Sequence, residues 1–221
     1  WGGQTYSGAL TLNNSGTSSS PIIFKRDPAS NAAIIDGADT TSGTLYSTKA
    51  KYIVMDGFTI QSGKYGIYTY GSGVTDWTIK NCRVTGNSMY GIYIRSGTGF
   101  NLFNNAVYLN AATTTGIYFF NSATNNNVTQ CSVYGQKYGV TYDTSSSGTV
   151  TNSIVANNTI YGVYNRSSAV TVTYSDVWGN GTNYSGVTAG TGCISADPKW
   201  VDPDGGDFHL QPGSPCDNTA S

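Results

Sequence analysis

The feature that most constrains this chain is a repeat. The segments Tyr65-Gly66-Ile67-Tyr68, Tyr90-Gly91-Ile92-Tyr93, Thr115-Gly116-Ile117-Tyr118, Tyr138-Gly139-Val140-Thr141 and Tyr161-Gly162-Val163-Tyr164 recur at steps of 25, 25, 23 and 23 residues. A second motif accompanies them. Ile79-Lys80-Asn81-Cys82-Arg83-Val84 aligns with Leu102 to Val107, with Val128 to Val133, with Val150 to Val155 and, more loosely, with Val172 to Val177. Each unit therefore carries three short alternating segments separated by Asn, Gly or Ser. Segments this short cannot bury a face by themselves. Stacked units can, because each strand then pairs in parallel with its equivalent one repeat away. Alternation turns Ile67, Ile92, Ile117, Val140 and Val163 inward as one column, and Val84, Val107, Val133, Val155 and Val177 as another.

Composition agrees with an all-β chain. Only 10% of the 221 residues are charged, and all 12 acids are Asp. Without Glu, and with few Lys or Arg, there is little to fill exposed helix positions. Gly, Thr, Ser and Asn (28, 29, 25 and 20) make nearly half the chain, which suits short strands and tight turns. A hydrophobic content of 38% with 13% aromatics argues against disorder. A net charge near −1 without a Lys/Arg run gives no nucleic-acid footprint. No apolar stretch approaches the roughly 18 residues of a membrane span. The abrupt start at Trp1-Gly2-Gly3 reads as a processed or truncated product.

Two polar columns repeat with the apolar ones: Asn81, Asn104, Gln130 and Asn152, and then Asn87, Asn110, Gln136, Asn158 and Asn180. Stacked amides can hydrogen-bond from rung to rung at a strand spacing of about 4.8 Å, so both columns are expected to be structural. Cys82 and Cys131 hold the same repeat position two coils apart, roughly 10 Å, and are read as small buried residues rather than a disulfide.

With these motifs in hand, the chain resembles the right-handed parallel β-helix superfamily, the pectate-lyase-like fold, in its secreted bacterial type. The resemblance covers nearly all of the sequence. Its front carries Gln4-Thr5-Tyr6-Ser7-Gly8, Pro21-Ile22-Ile23-Phe24 and Ile35-Asp36-Gly37. Its back carries Asp197-Pro198-Lys199-Trp200 and Phe208-His209-Leu210-Gln211-Pro212. It implies a single parallel β-helix over residues 1–190, with about seven coils, and a closing tail over residues 191–221 of the same domain. It also labels the Gly-Ile-Tyr segments as the strand whose outer face carries the substrate groove in polysaccharide-active members. That ladder is expected to run from Gly8–Leu12 and Thr44–Thr48 to Gly162–Arg166.

On that face, Tyr68, Tyr93, Tyr118, Thr141 and Tyr164 form one outward column, and Tyr70, Arg95, Phe120, Asp143 and Arg166 a second. Aromatic rings with a polar edge suit sugars, suit a protein partner equally, and also stabilise a sheet by cross-strand pairing. The ligand-binding set is thus Tyr68, Tyr70, Tyr93, Arg95, Tyr118, Phe120 and Tyr164. Arg95, Arg166 and Asp143 are the catalytic candidates, since β-elimination from a uronate needs a base, Arg or Lys in this superfamily. Asp143 and Arg166 are one rung apart and can pair instead. There is no Asp-Asp pair for a polygalacturonase-like hydrolysis and no Asp-Pro-His motif. His209 is a lone histidine in a tail strand whose Phe208 and Leu210 are expected to pack on the last coil. Asp202, Asp204 and Asp207 are the candidates for a Ca²⁺ loop, although the spacing is not that of an EF-hand and Asp and Gly also make ordinary turns. Otherwise no cofactor is expected. Cys193 and Cys216 flank the tail, and a disulfide between them would staple it and fit an oxidising, extracellular setting.

The leading expectation is a secreted or cell-surface protein that engages polysaccharide through the Tyr face without strong catalysis. The alternatives are a polysaccharide lyase using Arg95 or Arg166, and a self-associating fibre or matrix subunit joined through the first coil, whose edge lacks a visible cap.

Overall fold

The structure, a computed structural model, describes residues 4–27, 29, 33–38, 41–110, 114–167 and 169–217. Trp1 to Gly3, the start considered above, lies outside them. The chain winds through three parallel sheets, taking one strand from each in turn. Sheet A has eight strands, from Thr5–Ser7 to Asp176–Trp178; sheet B has eight, from Leu10–Thr11 to Thr182–Ser185; sheet C has seven, from Ile22–Lys25 to Ala169–Thr173. That is seven full coils and two strands of an eighth. The sheet B ladder runs one rung beyond the sequence expectation, because Thr182–Ser185 pairs with Tyr161–Asn165 through Thr182, Tyr184 and Ser185. The Tyr-Gly signature is lost there, so the repeat was not visible.

The register follows the sequence columns. Ile67, Ile92, Ile117, Val140 and Val163 are direct partners in sheet B, and Val84, Val107, Val133, Val155 and Val177 in sheet A; all ten are fully buried. Beneath them, Ile79, Leu102, Val128, Val150 and Val172 form the matching column of sheet C. A slip of one residue would turn a whole column to water, so the burial fixes the register.

The corner from sheet C to sheet A is made by one residue per coil with positive φ: Gly57, Asn81, Asn104, Gln130, Asn152 and Tyr174, at 87, 54, 51, 53, 50 and 49°. Asn tolerates this left-handed conformation better than most residues. The expected amide ladder holds here only in part. Asn104 Nδ2 donates to Asn81 Oδ1 at 2.8 Å and Asn81 Nδ2 to Asp56 Oδ1 at 2.7 Å. No such bond continues to Gln130 or Asn152. The second amide column is buried and better connected. Asn87 Nδ2 donates to Asn110 Oδ1 at 2.7 Å and Asn158 Nδ2 to Asn180 Oδ1 at 2.8 Å, but Gln136 Oε1 between them is buried without a partner.

Cys82 and Cys131 are buried, as their position implies. Sequence reasoning missed that Asn105, Ser153 and Ser175 share their column. There Asn105 Oδ1 accepts the Cys82 N–H at 3.0 Å and Ser153 Oγ accepts the Cys131 N–H at 3.1 Å. The mixed residue types of this column hid its common task.

The last coil is closed by residues 186–194. Gly190 N–H donates to Val172 O, Tyr174 N–H donates to Thr191 O, and Ile194 bridges Asp176 in parallel. Beyond this the chain turns back. The antiparallel pair Trp200–Asp202 and Asp207–Leu210 lies along the outer face of sheet A. Phe208 packs edge-on against Tyr108 and Tyr134, Trp200 against Tyr134, and Arg83 Nη1 donates to Gly206 O at 2.6 Å. The sequence placed Phe208 on the last coil; the structure instead seats it on middle coils, against the outward aromatics Tyr108 and Tyr134.

The Cys193–Cys216 disulfide is not formed: both thiols are free. Cys193 Sγ faces Val172 O at 3.4 Å, and Cys216 Sγ donates to Asp176 Oδ2 at 3.1 Å.

Candidate functional site

Strands of sheet B put Tyr46, Tyr68, Tyr93, Tyr118, Thr141 and Tyr164 outward in one register. The first four rings form a continuous stack, with centroids 5.4, 5.1 and 5.2 Å apart. A parallel column, Tyr65 and Tyr90, stacks at 5.7 Å beside it, and Tyr138 and Tyr161 resume that column further on. Thr115 and Thr141 interrupt the two columns. The rings cover one another: Tyr93 is only 9% exposed and touches Tyr65, Tyr68, Tyr90 and Tyr118. Tyr93 was expected to stand open to solvent. It points outward, but its neighbours bury it. Burial pushes the Tyr93 and Tyr118 phenols well above their ordinary pKa.

The second column is accessible at its ends. Tyr70, Arg95, Phe120, Asp143 and Arg166 follow one another rung by rung; Tyr70 is 44% exposed and Arg166 exposed, Arg95 and Phe120 are half-buried, and Asp143 is buried. The Arg95 guanidinium carbon lies 4.6 Å from the Tyr70 ring centre and 5.8 Å from that of Phe120, a cation between two rings. Its Nε is buried without a partner among the described residues. Burial opposes its charge, but the hydroxyls of Tyr93, Tyr68 and Tyr70 outweigh that and raise its pKa, so the proton is held.

Asp143 is fully engaged. Its Oδ2 accepts from Tyr118 Oη and from Arg166 Nη1, each at 3.2 Å, and its Oδ1 accepts from Thr144 Oγ1 at 3.2 Å. Arg166 is exposed apart from that pair. Tyr164 stacks with Tyr138 at 5.7 Å and Tyr161 at 4.6 Å, across the Thr141 break from Tyr118. The structure thus brings Tyr68, Tyr93 and Tyr118 together with Tyr70, Arg95 and Phe120, and leaves Tyr164 in a separate aromatic group.

The tail acids do not converge. Asp202 Oδ1 accepts from Gly205 N–H, Asp204 Oδ1 from Tyr134 Oη and Asp207 Oδ1 from His209 N–H and Nδ1. No group of three or more His, Cys or Asp residues among the described residues is placed to hold a metal ion. His209 is exposed and pairs with Asp207 at 2.6 Å, with no nucleophile beside it.

Three parallel sheets wound from single strands define the parallel β-helix class. The chain belongs to the right-handed β-helix family, since the model described as "Right handed beta helix region" matches residues 42–197. Among solved structures it is similar to an alginate lyase from Paenibacillus sp. str. FPU-7, with a TM-score of 0.67, 15% identity, and coverage of 88% of this chain and 86% of that one. It is also similar to pectate lyase Pel9A, with a TM-score of 0.60, 15% identity, and coverage of 97% and 80%. No curated protein sequence matches the chain. No helix among the described residues is long and apolar enough to cross a membrane.

Proposed function

We propose that this protein engages a carboxylate-bearing extracellular polysaccharide along the outer face of sheet B, as a secreted or cell-surface binder without strong catalysis. The observation that carries the reading is Arg95, a half-buried cation held between the exposed ring of Tyr70 and the half-buried ring of Phe120. A guanidinium recognises a carboxylate by charge and by paired donors, and flanking rings take the C–H faces of the adjoining sugars. The stacked tyrosines beneath hold that strip rigid, so little side-chain entropy is lost on binding. The alginate and pectate lyases that share the fold act on carboxylated chains, which supports the same substrate class. Catalysis would need a base, and the groups at hand are spent: Asp143 accepts three hydrogen bonds, Arg166 pairs with it, and Arg95 keeps its proton.

The test is calorimetry with alginate and polygalacturonate oligomers, compared with neutral glucans, while near-ultraviolet absorbance reports unsaturated products. Saturable, salt-sensitive binding of the acidic oligomers is expected, weakened about tenfold or more in Arg95→Gln, with no absorbance change. No binding would overturn the reading. Absorbance growth that disappears in Arg95→Gln or Arg166→Gln would establish the lyase alternative.

A second reading rests on a different observation. An apolar hollow lined by Leu10, Phe24, Ile35, Met55 and Phe58 opens at the first coil. It supports end-to-end association of chains there, and sedimentation over a concentration series separates a monomer from a growing assembly.

A further inference from the structure

On the side of the helix away from sheet B, a polar trench runs between the sheet C to sheet A corner and the returning tail. Its larger part, about 620 Å³, is floored by the corners of successive coils at Gln130, Asn152 and Tyr174 and walled by Leu210 and Pro215. A second part, about 340 Å³, continues past Gln130 and Ser132 to Asn104 and Asn81, with Phe208 and His209 as its wall. From Asn81 to Tyr174 the corner column climbs four rungs, roughly 19 Å at strand spacing.

Three observations mark this trench as more than a crease. First, the amide ladder that joins Asp56, Asn81 and Asn104 stops where the trench widens: no group among the described residues takes up the side-chain amides of Gln130 and Asn152, and both residues are exposed. Second, Tyr174 stands at the end of that column with φ of 49° and 59% exposure. A bulky residue in the left-handed region is uncommon; here the coil corner imposes it, the Tyr174 N–H donates to Thr191 O, and the ring is left turned to water. The ring lies against Gly192, where a Cβ would fall 2.4 Å from Tyr174 Cδ1, so the ring is seated on backbone. Third, the larger part is lined by acids and by no cation among the described residues. Asp176 is buried and accepts from Ala196 N–H and the Cys216 thiol, and Asp217 sits at the rim, whereas Arg83, exposed in the smaller part, donates Nη1 to Gly206 O.

We infer that this trench is a second carbohydrate site, for a neutral linear oligosaccharide, distinct in place and in ligand charge from the sheet B face. Free amides pair with vicinal hydroxyls, the Tyr174 ring supplies a platform for a sugar's C–H face, and Leu210 lines the apolar side. The acids of the larger part, with no cation among its lining residues, disfavour an acidic chain. The flooring strands pair coil to coil and offer no edge to an extended peptide, which could add only to the hairpin strand Asp207–Leu210 in the wall.

The experiment titrates the whole chain with β-1,4-linked hexamers of glucose, xylose and mannose, using calorimetry and amide chemical shifts. Because the corner residues are left-handed, glycine removes the side chain and keeps the turn. Tyr174→Gly and the pair Gln130→Gly/Asn152→Gly are therefore the variants, with circular dichroism confirming the fold. Salt-insensitive binding of at least one neutral hexamer is expected, weakened about tenfold by each variant and unchanged in Arg95→Gln. Absence of saturable binding of all three hexamers overturns the inference. So does binding lost in Arg95→Gln but kept in Tyr174→Gly, and so does preference for an extended peptide. The sheet B reading stands or falls separately, on acidic oligomers and Arg95→Gln.

Discussion

At the scale of residues, outward direction and exposure part company. Tyr93 faces away from the core, yet four tyrosine rings pack around it. Tyr93→Ala is therefore expected to cost about 2–3 kcal/mol in chemical denaturation, as for a buried aromatic. Tyr70→Ala, at 44% exposure, should cost well under about 1 kcal/mol and act on polysaccharide binding instead. Asp176 makes a pH prediction. Burial raises its pKa above the ordinary 3.8, so the folded state holds the proton more tightly than the unfolded one. Its contribution is present at low pH and is lost as pH rises from 3.8 through the raised folded value. Asp176→Asn cannot ionise, so its stability relative to the parent chain should increase over that range. Equal pH dependence of the two in denaturant melts would refute the assignment. Asp36 works in the opposite sense: hydrogen bonds from Gln61 and the Ala38 N–H lower its pKa, so its share is lost as pH falls.

At the scale of elements, the corners carry as much of the specification as the strands. In the buried amide column, Asn110 Oδ1 accepts the backbone N–H of Asn87, and Asn180 Oδ1 that of Asn158. Gln136 breaks this series, its Oε1 buried and unpaired and its Nε2 turned back to Tyr134 O. The longer side chain carries its oxygen past the position that Asn fills. Gln136→Asn is expected to restore the ladder and to stabilise by about 0.5–1.5 kcal/mol, read as a higher denaturation midpoint at unchanged slope. Asn158→Ala should cost about 1–3 kcal/mol, because it strands the Gln136 N–H that Asn158 Oδ1 accepts at 3.0 Å.

For the whole molecule, the family match stops at residue 197, just before the returning hairpin. The hairpin nevertheless covers sheet A, where Tyr108 and Ala156 are buried although they point out of the helix. It also builds one wall of the trench. Trp200, 6% exposed, is its anchor, and Trp200→Ala should cost about 3 kcal/mol and lower the melting temperature of the whole solenoid. A melting temperature unchanged from the parent would show that the hairpin is not coupled to the coils. Coupling is expected, since Tyr134 Oη also donates to Asp204 Oδ1 at 2.8 Å, and burial, then that bond, pushes the phenol pKa up to about 12.

Periodicity made the stacking, the two inward columns and the pairing register legible, because a parallel β-helix repeats the same contact at the same sequence interval, and the family resemblance added the class and the coil count. The two outward columns of sheet B were legible for the same reason. What the repeat could not contain was anything formed between non-equivalent positions. Whether Tyr93 is open or covered depends on how rings from the two tyrosine columns lean together. Whether Cys193 meets Cys216 depends on the path of a tail that follows no repeat. The trench exists only because that tail lies beside the Gln130, Asn152 and Tyr174 corners, an adjacency that tertiary packing on Tyr108 and Tyr134 decides.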